Sequence, residues 1–258
     1  MTLNTIISSA CRRLVLSHAS VFNSDQYDKD LGRFVDDRRI DFLLYGNANY
    51  DYVKLLPPHP AFHIIRDPRD IVVSAYFSHL HSHPTAAWPE LEAHRRTLES
   101  LTLEEGLAEE ILFRGKSFGH MASWNYDLEN VLEIRFEDFA TRTYDTMLNI
   151  FAALGLLSDE PVTFGSRFRG ITAEGLARFR KRTGFQLIRY REGNRIHASE
   201  LLNLIWQHRF EARAKGRRKG HEDVKNHYRK GKSGDWHNYF TPELARLFKD
   251  TYPGLVPM

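Results

Sequence analysis

The 258 residues include 42% apolar and 12% aromatic side chains, enough to fill a sizeable core without covalent staples. A single cysteine, Cys11, excludes an internal disulfide and a cysteine-built zinc site, which points to a reducing, cytoplasmic setting. The net charge is only +3, yet residues 209–232 hold ten Lys or Arg against three acids, and no apolar run approaches the roughly 20 residues of a membrane span.

Taken in chain order, Leu3 to Leu16 has helical spacing, with its basic pair Arg12 and Arg13 after the apolar residues, the reverse of a secretory signal. A polar, Asp-rich stretch follows from Asn23 to Arg39. Ala61 to Ile65 is a short apolar run that predicts a strand. Beyond it, Ile71, Val72, Ala75, Tyr76 and Leu80 lie on one helical face. Asp67 is placed to cap that helix, with Pro68 at its first position and Asp70 in its first turn. Leu91 to Leu112 reads as helix interrupted at Ser100 to Thr102, where a capping residue and two acids start a second helix. Val131 to Phe136 alternates as a strand, Glu137-Asp138-Phe139 is expected to open a loop, and Tyr144 to Leu154 is an amphipathic helix. Another helical run, Ala198 to Phe210, has an apolar stripe suited to packing on the core or on a partner subunit, so a homodimer lies within the reading.

Strands alternating with helices predict an α/β fold, three-layered around a central parallel sheet. A single domain is expected over 1–258, with an inserted helical lid or acceptor-binding element around 165–215. Ligands in such sheets bind at the carboxyl ends of strands, which would bring Arg66 and the residues after Phe136 together. The basic regions, 209–232 and Arg178 to Arg195, imply an anionic partner: nucleic acid, a membrane phosphate or a phosphorylated small molecule.

Three segments carry chemistry: Arg66-Asp67-Pro68-Arg69-Asp70 with Ser74 and Tyr76; Arg135-Phe136-Glu137-Asp138; and Tyr228 to Phe240. The first sets a guanidinium at a strand end, with a hydroxyl and the positive end of a helix beside it. The third supplies adjacent cations, then Gly231 and Gly234, where missing side chains let backbone N–H groups approach a phosphate. Together they describe a pocket for a phosphate monoester.

These residues resemble the sulfotransferases that use 3'-phosphoadenosine 5'-phosphosulfate (PAPS), bacterial and cyanobacterial members in particular. In that family an Arg-Asp-Pro-Arg-Asp loop with a Ser eight residues after its first Arg, and an Arg-Lys-Gly-x-x-Gly-Asp-Trp loop, hold the nucleotide 3'-phosphate. The resemblance therefore implies a P-loop NTPase-like fold, Arg66, Ser74, Arg229, Lys230 and Gly231 on that phosphate, and Phe136 on the adenine side. It implies PAPS as co-substrate, 3',5'-bisphosphoadenosine (PAP) as product, and sulfuryl transfer to a hydroxyl or amine of a small-molecule, glycan or lipid acceptor. No metal and no nucleic acid are expected in that reaction.

The family's Gly-rich loop for the 5'-phosphosulfate has no match: residues 1–65 hold only Gly32 and Gly46, neither followed by Lys-Ser or Thr-Thr. The loop is expected just upstream of Met1, with Thr2 and Thr5 nearest its hydroxyls, or else lost. Among the histidines His18, His59 and His63, His18 is the preferred catalytic base, and residues 1–65 contain no Glu. The alternate trio His79, His81 and His83 is read as a solvated turn rather than a metal site. Trp236 is expected to pack, Asp235 to cap its loop, and Glu137 with Asp138 to orient neighbouring arginines. Two rival readings are a catalytically impaired PAP- or PAPS-binding protein of the same fold, and a nucleic-acid-binding protein using 209–232 as a basic strip.

Overall fold

The computed structural model describes residues 2–86, 88–158, 194–226 and 228–255. It divides into two compact units: residues 1–63, 127–132 and 142–212 form the first, and residues 64–126, 133–141 and 213–258 the second. No helix among the described residues is long and apolar enough to cross a membrane.

In the first unit, α1 (Thr2–Arg13) buries Leu3, Ile6, Ile7, Ala10 and Cys11, spaced three and four apart along one face. The helix stops short of Leu16 because Val15 takes φ 59°, and Leu16 N–H donates back to the Cys11 carbonyl to close the end. Burial pushes the Cys11 thiol up to about 12, so it stays protonated and unreactive. Strand β1 (His18–Val21) follows at once and runs parallel to β2 (Phe42–Tyr45), His18 opposite Phe42.

The polar stretch between them is more ordered than its composition predicts. Asn23 caps a short 3-10 turn, and Asp30 caps α2 (Leu31–Asp37), with Arg33 N–H donating to the Asp30 carboxylate. Only Leu31 of that helix is buried, which is why no apolar period betrays it. The short helix α3 (Tyr50–Val53) precedes β3 (Ala61–Ile65).

Strand β3 pairs with β4 (Val131–Arg135). Among the described residues the strands pair two by two, with β5 (Leu157–Ser158) parallel to β6 (Ile196–His197) as the third pair.

The second unit is built on α4 (Pro68–His81), which packs against α5 (Pro89–Glu99) and α6 (Leu103–Phe113). Val72, Val73, Tyr76, Phe77, Leu98, Leu107, Ile111 and Phe118 form its core with Leu244 and Phe248 of the C-terminal helix. Each fully buried side chain of this size stabilises the fold by roughly 1.5–3 kcal/mol. Gly106 lets α6 approach α4 closely: a Cβ there would lie 2.6 Å from the Tyr76 ring. Thr102 is the capping residue expected at the break, and with Glu105 it forms a full capping box, each side chain bonded to the other's backbone N–H. Helix α7 (Gly115–Ala122) completes this helical block.

One expectation is corrected here. Phe136 does not precede a loop; it opens α8 (Phe136–Thr141) directly after β4. Glu137 and Asp138 occupy the first turn, where the helix dipole favours acids, and Thr141 Oγ1 donates to the Glu137 carbonyl.

In the first unit, α9 (Thr143–Ala153) matches the expected amphipathic helix, and α10 (Ala198–Gln207) matches the later run. Helix α10 packs on α1 and α9 through buried Leu201, Leu204 and Ile205, so its stripe serves the core of this unit. Residues 159–193 lie outside the described residues, and with them most of the basic stretch to Arg195 and the front of the proposed 165–215 element. The chain continues through α11 (Phe210–Arg213), a long loop and a 3-10 turn at Asp235–Asn238, and ends in α12 (Pro242–Thr251).

Candidate functional site

The phosphate-type residues predicted from sequence all belong to the second unit. The turn from β3 into α4 starts the site. Asp67 accepts from Arg69 N–H at 2.9 Å, so the capping role holds, and the Arg69 side chain returns to the Asp67 carboxylate at 3.0 and 2.6 Å. Asp67 N–H in turn donates to Glu137 Oε1 at 3.4 Å, so Glu137 bonds the backbone of the turn rather than an arginine side chain. Arg69 lies 3.6 Å over the Trp236 ring, and Trp236 packs against the core as expected.

Arg66 is the exception in this crowded turn. Its guanidinium sits 4.7 Å over the Phe136 ring, but its Nε is buried without a hydrogen-bond partner. Burial holds its pKa below the ordinary arginine value; Asp70, Glu137 and Asp67 work against that shift, and the neighbouring charge of Arg229 works with it. A buried guanidinium with an N–H donor unspent is a group that an anion would stabilise.

Asp70 supplies the link to the glycine loop. It is 1% exposed, and its carboxylate accepts from Gly234 N–H at 2.5 Å and Trp236 N–H at 3.0 Å. Asp70, Ser74 and Phe77 are spaced four and three apart and so share one face of α4. The two outer members of that face meet the loop, Asp70 at Gly234 and Phe77 under the Arg229 guanidinium at 4.7 Å, and half-buried Ser74 lies between them. Gly231 and Gly234 take φ 68° and 78°, a left-handed backbone that glycine adopts without strain.

Arg229 and Lys230 are not left open. Arg229 bonds Asp235 at 2.5 Å and also Glu222, and Lys230 bonds the second oxygen of Asp235. Tyr239 OH donates to the same Glu222 oxygen at 3.1 Å, and Asn238 donates to Asp235 at 2.8 Å. Asp235 is therefore the hub of an ion-pair cluster rather than a simple loop cap. Burial disfavours the Arg229 charge, but Asp235 and Glu222 outweigh it and raise its pKa. Burial likewise works to raise Asp235, and its bonds to Lys230, Asn238 and Arg229 prevail and lower it.

A carboxyl depressed by folding stabilises the fold above its unfolded value of about 3.9, and that contribution is lost as pH falls through the folded value. Melting temperatures of the wild type and Asp235→Asn should therefore differ at neutral pH and converge as the pH drops below about 4; a gap that stays constant would show that the charge is not what matters.

The remaining candidates fall elsewhere. His18 opens β1 in the first unit, half-buried. The trio His79, His81 and His83 is split: His79 is buried, His81 is exposed, and His79 bonds Glu110 instead. Within the basic stretch 209–232, Arg217 donates to the carbonyls of His221, Tyr228 and Arg229, and Lys219 donates to Ala140 at 2.8 Å. With Arg229 and Lys230 also engaged, much of this charge braces the loop rather than forming an open strip. Sequence reasoning missed Asp70 as a latch, whose partners lie more than 160 residues away, and Glu222 and Tyr239, whose partners lie 7 to 17 residues away in a loop that has no periodic pattern.

Residues 61–255 match the Sulfotransferase domain family. No curated protein sequence matches the chain. Among solved structures, mouse sulfotransferase SULT7A1 complexed with PAP aligns at a TM-score of 0.54 and 19% identity, covering 97% of this chain and 79% of that one. That likeness gives the fold, and the domain match, spanning three quarters of the sequence, decides the family: the chain belongs to the sulfotransferases.

Proposed function

We propose that the chain binds PAPS through its 3'-phosphate and moves the sulfuryl group onto a hydroxyl or amine of a small acceptor. The observation that carries this reading is Arg66, a buried guanidinium with an unspent donor over the Phe136 ring. These residues fit a dianionic phosphate next to a flat base: Arg66 offers a fork of donors, Phe136 an aromatic face, Ser74 a hydroxyl and Gly231 an unobstructed backbone. Arg229 and Lys230 reach the phosphate as parts of the Asp235 cluster, which fixes their positions beforehand.

When bound, PAPS supplies an activated sulfuryl group, and PAP leaves as the acceptor oxygen or nitrogen attacks sulfur. The chain's own task is to hold the nucleotide end rigidly and to take the acceptor proton, for which His18 is the candidate base. A cytoplasmic location fits the lone, buried, protonated Cys11 thiol.

PAP should raise the melting temperature by roughly 5 °C or more at a hundredfold excess over Kd, and 5'-AMP, which lacks the 3'-phosphate, should not. Equal shifts with both nucleotides would overturn the phosphate assignment. A sulfate-transfer assay on the wild type and His18→Ala then reads the base. A protein that used 209–232 on nucleic acid would instead show steep salt dependence and indifference to the 3'-phosphate.

A further inference from the structure

Three helices of the second unit bring together side chains that the nucleotide site does not use. His79 stands in the last turn of α4, His94 on α5 and Glu110 on α6, and they are 3%, 5% and 0% exposed. His79 Nδ1 and His94 Nε2 both hydrogen-bond the same carboxylate oxygen, Glu110 Oε2, at 3.0 and 2.8 Å, so each carries its ring proton on that nitrogen without a metal and moves it to the other ring nitrogen when a metal takes its place. One ligand atom from each residue lies within 4.8 Å of the others. The second carboxylate oxygen, Oε1, is buried and has no hydrogen-bond partner.

The two imidazoles are held in place by aromatic packing. His94 stacks on Phe113 at 3.7 Å and 5°, and His79 meets Trp88 and Phe113 edge-on at 5.5 and 5.7 Å. Arg95, next to His94, donates to the carbonyls of His79 and His83 and so ties the end of α4 to α5. The donors are thus rigid, converge on one point and are shielded from water, which is how metal ligands are presented.

We propose that His79, His94 and Glu110 form a binding site for a divalent transition metal of borderline softness, such as Zn2+, that pins α4, α5 and α6 together. Two imidazole nitrogens and one carboxylate match that class, whereas Mg2+ and Ca2+ prefer all-oxygen sets. At metal–ligand lengths of about 2.0–2.2 Å, tetrahedral ligand atoms stand roughly 3.3–3.6 Å apart, so the two imidazole–carboxylate pairs, at 3.0 and 2.8 Å, need to open by about half an ångström. Bidentate binding by Glu110 would also engage the unpartnered Oε1. Without a metal, Glu110 remains a buried carboxylate bonded through one oxygen only, an arrangement with a desolvation cost. Arg114, buried just beyond Glu110 in sequence, opposes a cation here and keeps the affinity below that of a carboxylate-rich site.

The test uses the full chain freed of metal by a chelator, then titrated with Zn2+ or Co2+ and compared with Glu110→Gln, which preserves shape, and His94→Gln. The wild type should retain one metal per chain by elemental analysis, show the visible absorption of nitrogen-bound Co2+, and melt about 5 °C higher with Zn2+. Both variants should weaken metal binding by at least about 100-fold, with circular dichroism confirming that the metal-free Glu110→Gln chain is folded. Absence of the cobalt band and of the Zn2+ shift in the wild type would overturn the proposal and leave a closed His–Glu–His hydrogen-bond network. Shifts that persist in both variants would place the metal on other histidines and overturn it equally.

Discussion

Arg66→Met should lower the affinity for PAP by about 100-fold or more while leaving the stability of the apo protein nearly unchanged. The affinity loss follows from two charge-assisted hydrogen bonds to phosphate, worth about 1.5–3 kcal/mol each. The stability expectation follows from what Arg66 lacks. Its Nε has no partner, and burial already holds its charge at a disadvantage, so a methionine of similar length removes a desolvated cation and keeps the packing on Phe136. Arg229→Ala should behave differently. It strips a partner from both Asp235 and Glu222, so it lowers melting temperature and nucleotide affinity together. Calorimetric titration with PAP beside apo melting curves separates the two. If Arg66→Met binds PAP within about threefold of the wild type, the phosphate lies elsewhere.

The contrast between these two arginines marks what the sequence makes legible. Arg66 and Asp67 can be read from local order: a short apolar run, then a capping acid and proline, is a strand running into a helix, and the structure has that turn. The Thr102 capping box and the helices around it are legible for the same reason, since caps and periodicity are local signals. Asp70 shows the limit. The sequence places it correctly in the first turn of α4, but its partners are Gly234 and Trp236, more than 160 residues away. Arg229 and Lys230 announce positive charge, not the carboxylates that take it up. The histidine trio misleads through spacing: residues two apart on a helix point about 200° apart, so His79 turns inward and His81 outward. His79 then finds partners on α5 and α6, which no local pattern reports. Helix α2 stayed hidden because it buries one residue, and α8 because a short helix that starts at a strand end has no period to show.

Asp70→Asn should be among the most destabilising single changes in the second unit. The carboxylate is 1% exposed and accepts two backbone N–H groups from the loop that carries Gly231, Asp235 and Trp236. An amide keeps one acceptor oxygen and turns its NH2 toward the other N–H, so one charge-assisted bond is lost, one is weakened, and a buried donor is left unpaired. At about 1.5–3 kcal/mol for the lost bond plus the weakening of the other, the total is about 3 kcal/mol, a fall of roughly 6–12 °C in melting temperature at this chain length. The consequence for function is larger than for a core cavity of equal energy. The same two bonds hold the Asp235 cluster, with Arg229 and Lys230, against the helix that starts beside Arg66. PAP affinity should therefore drop along with stability, whereas a cavity at Ile6 of the first unit should lower stability without this matched loss. A melting temperature within about 1 °C of the wild type, with PAP affinity intact, would show that the loop keeps its place without Asp70 and that α4 is not its anchor.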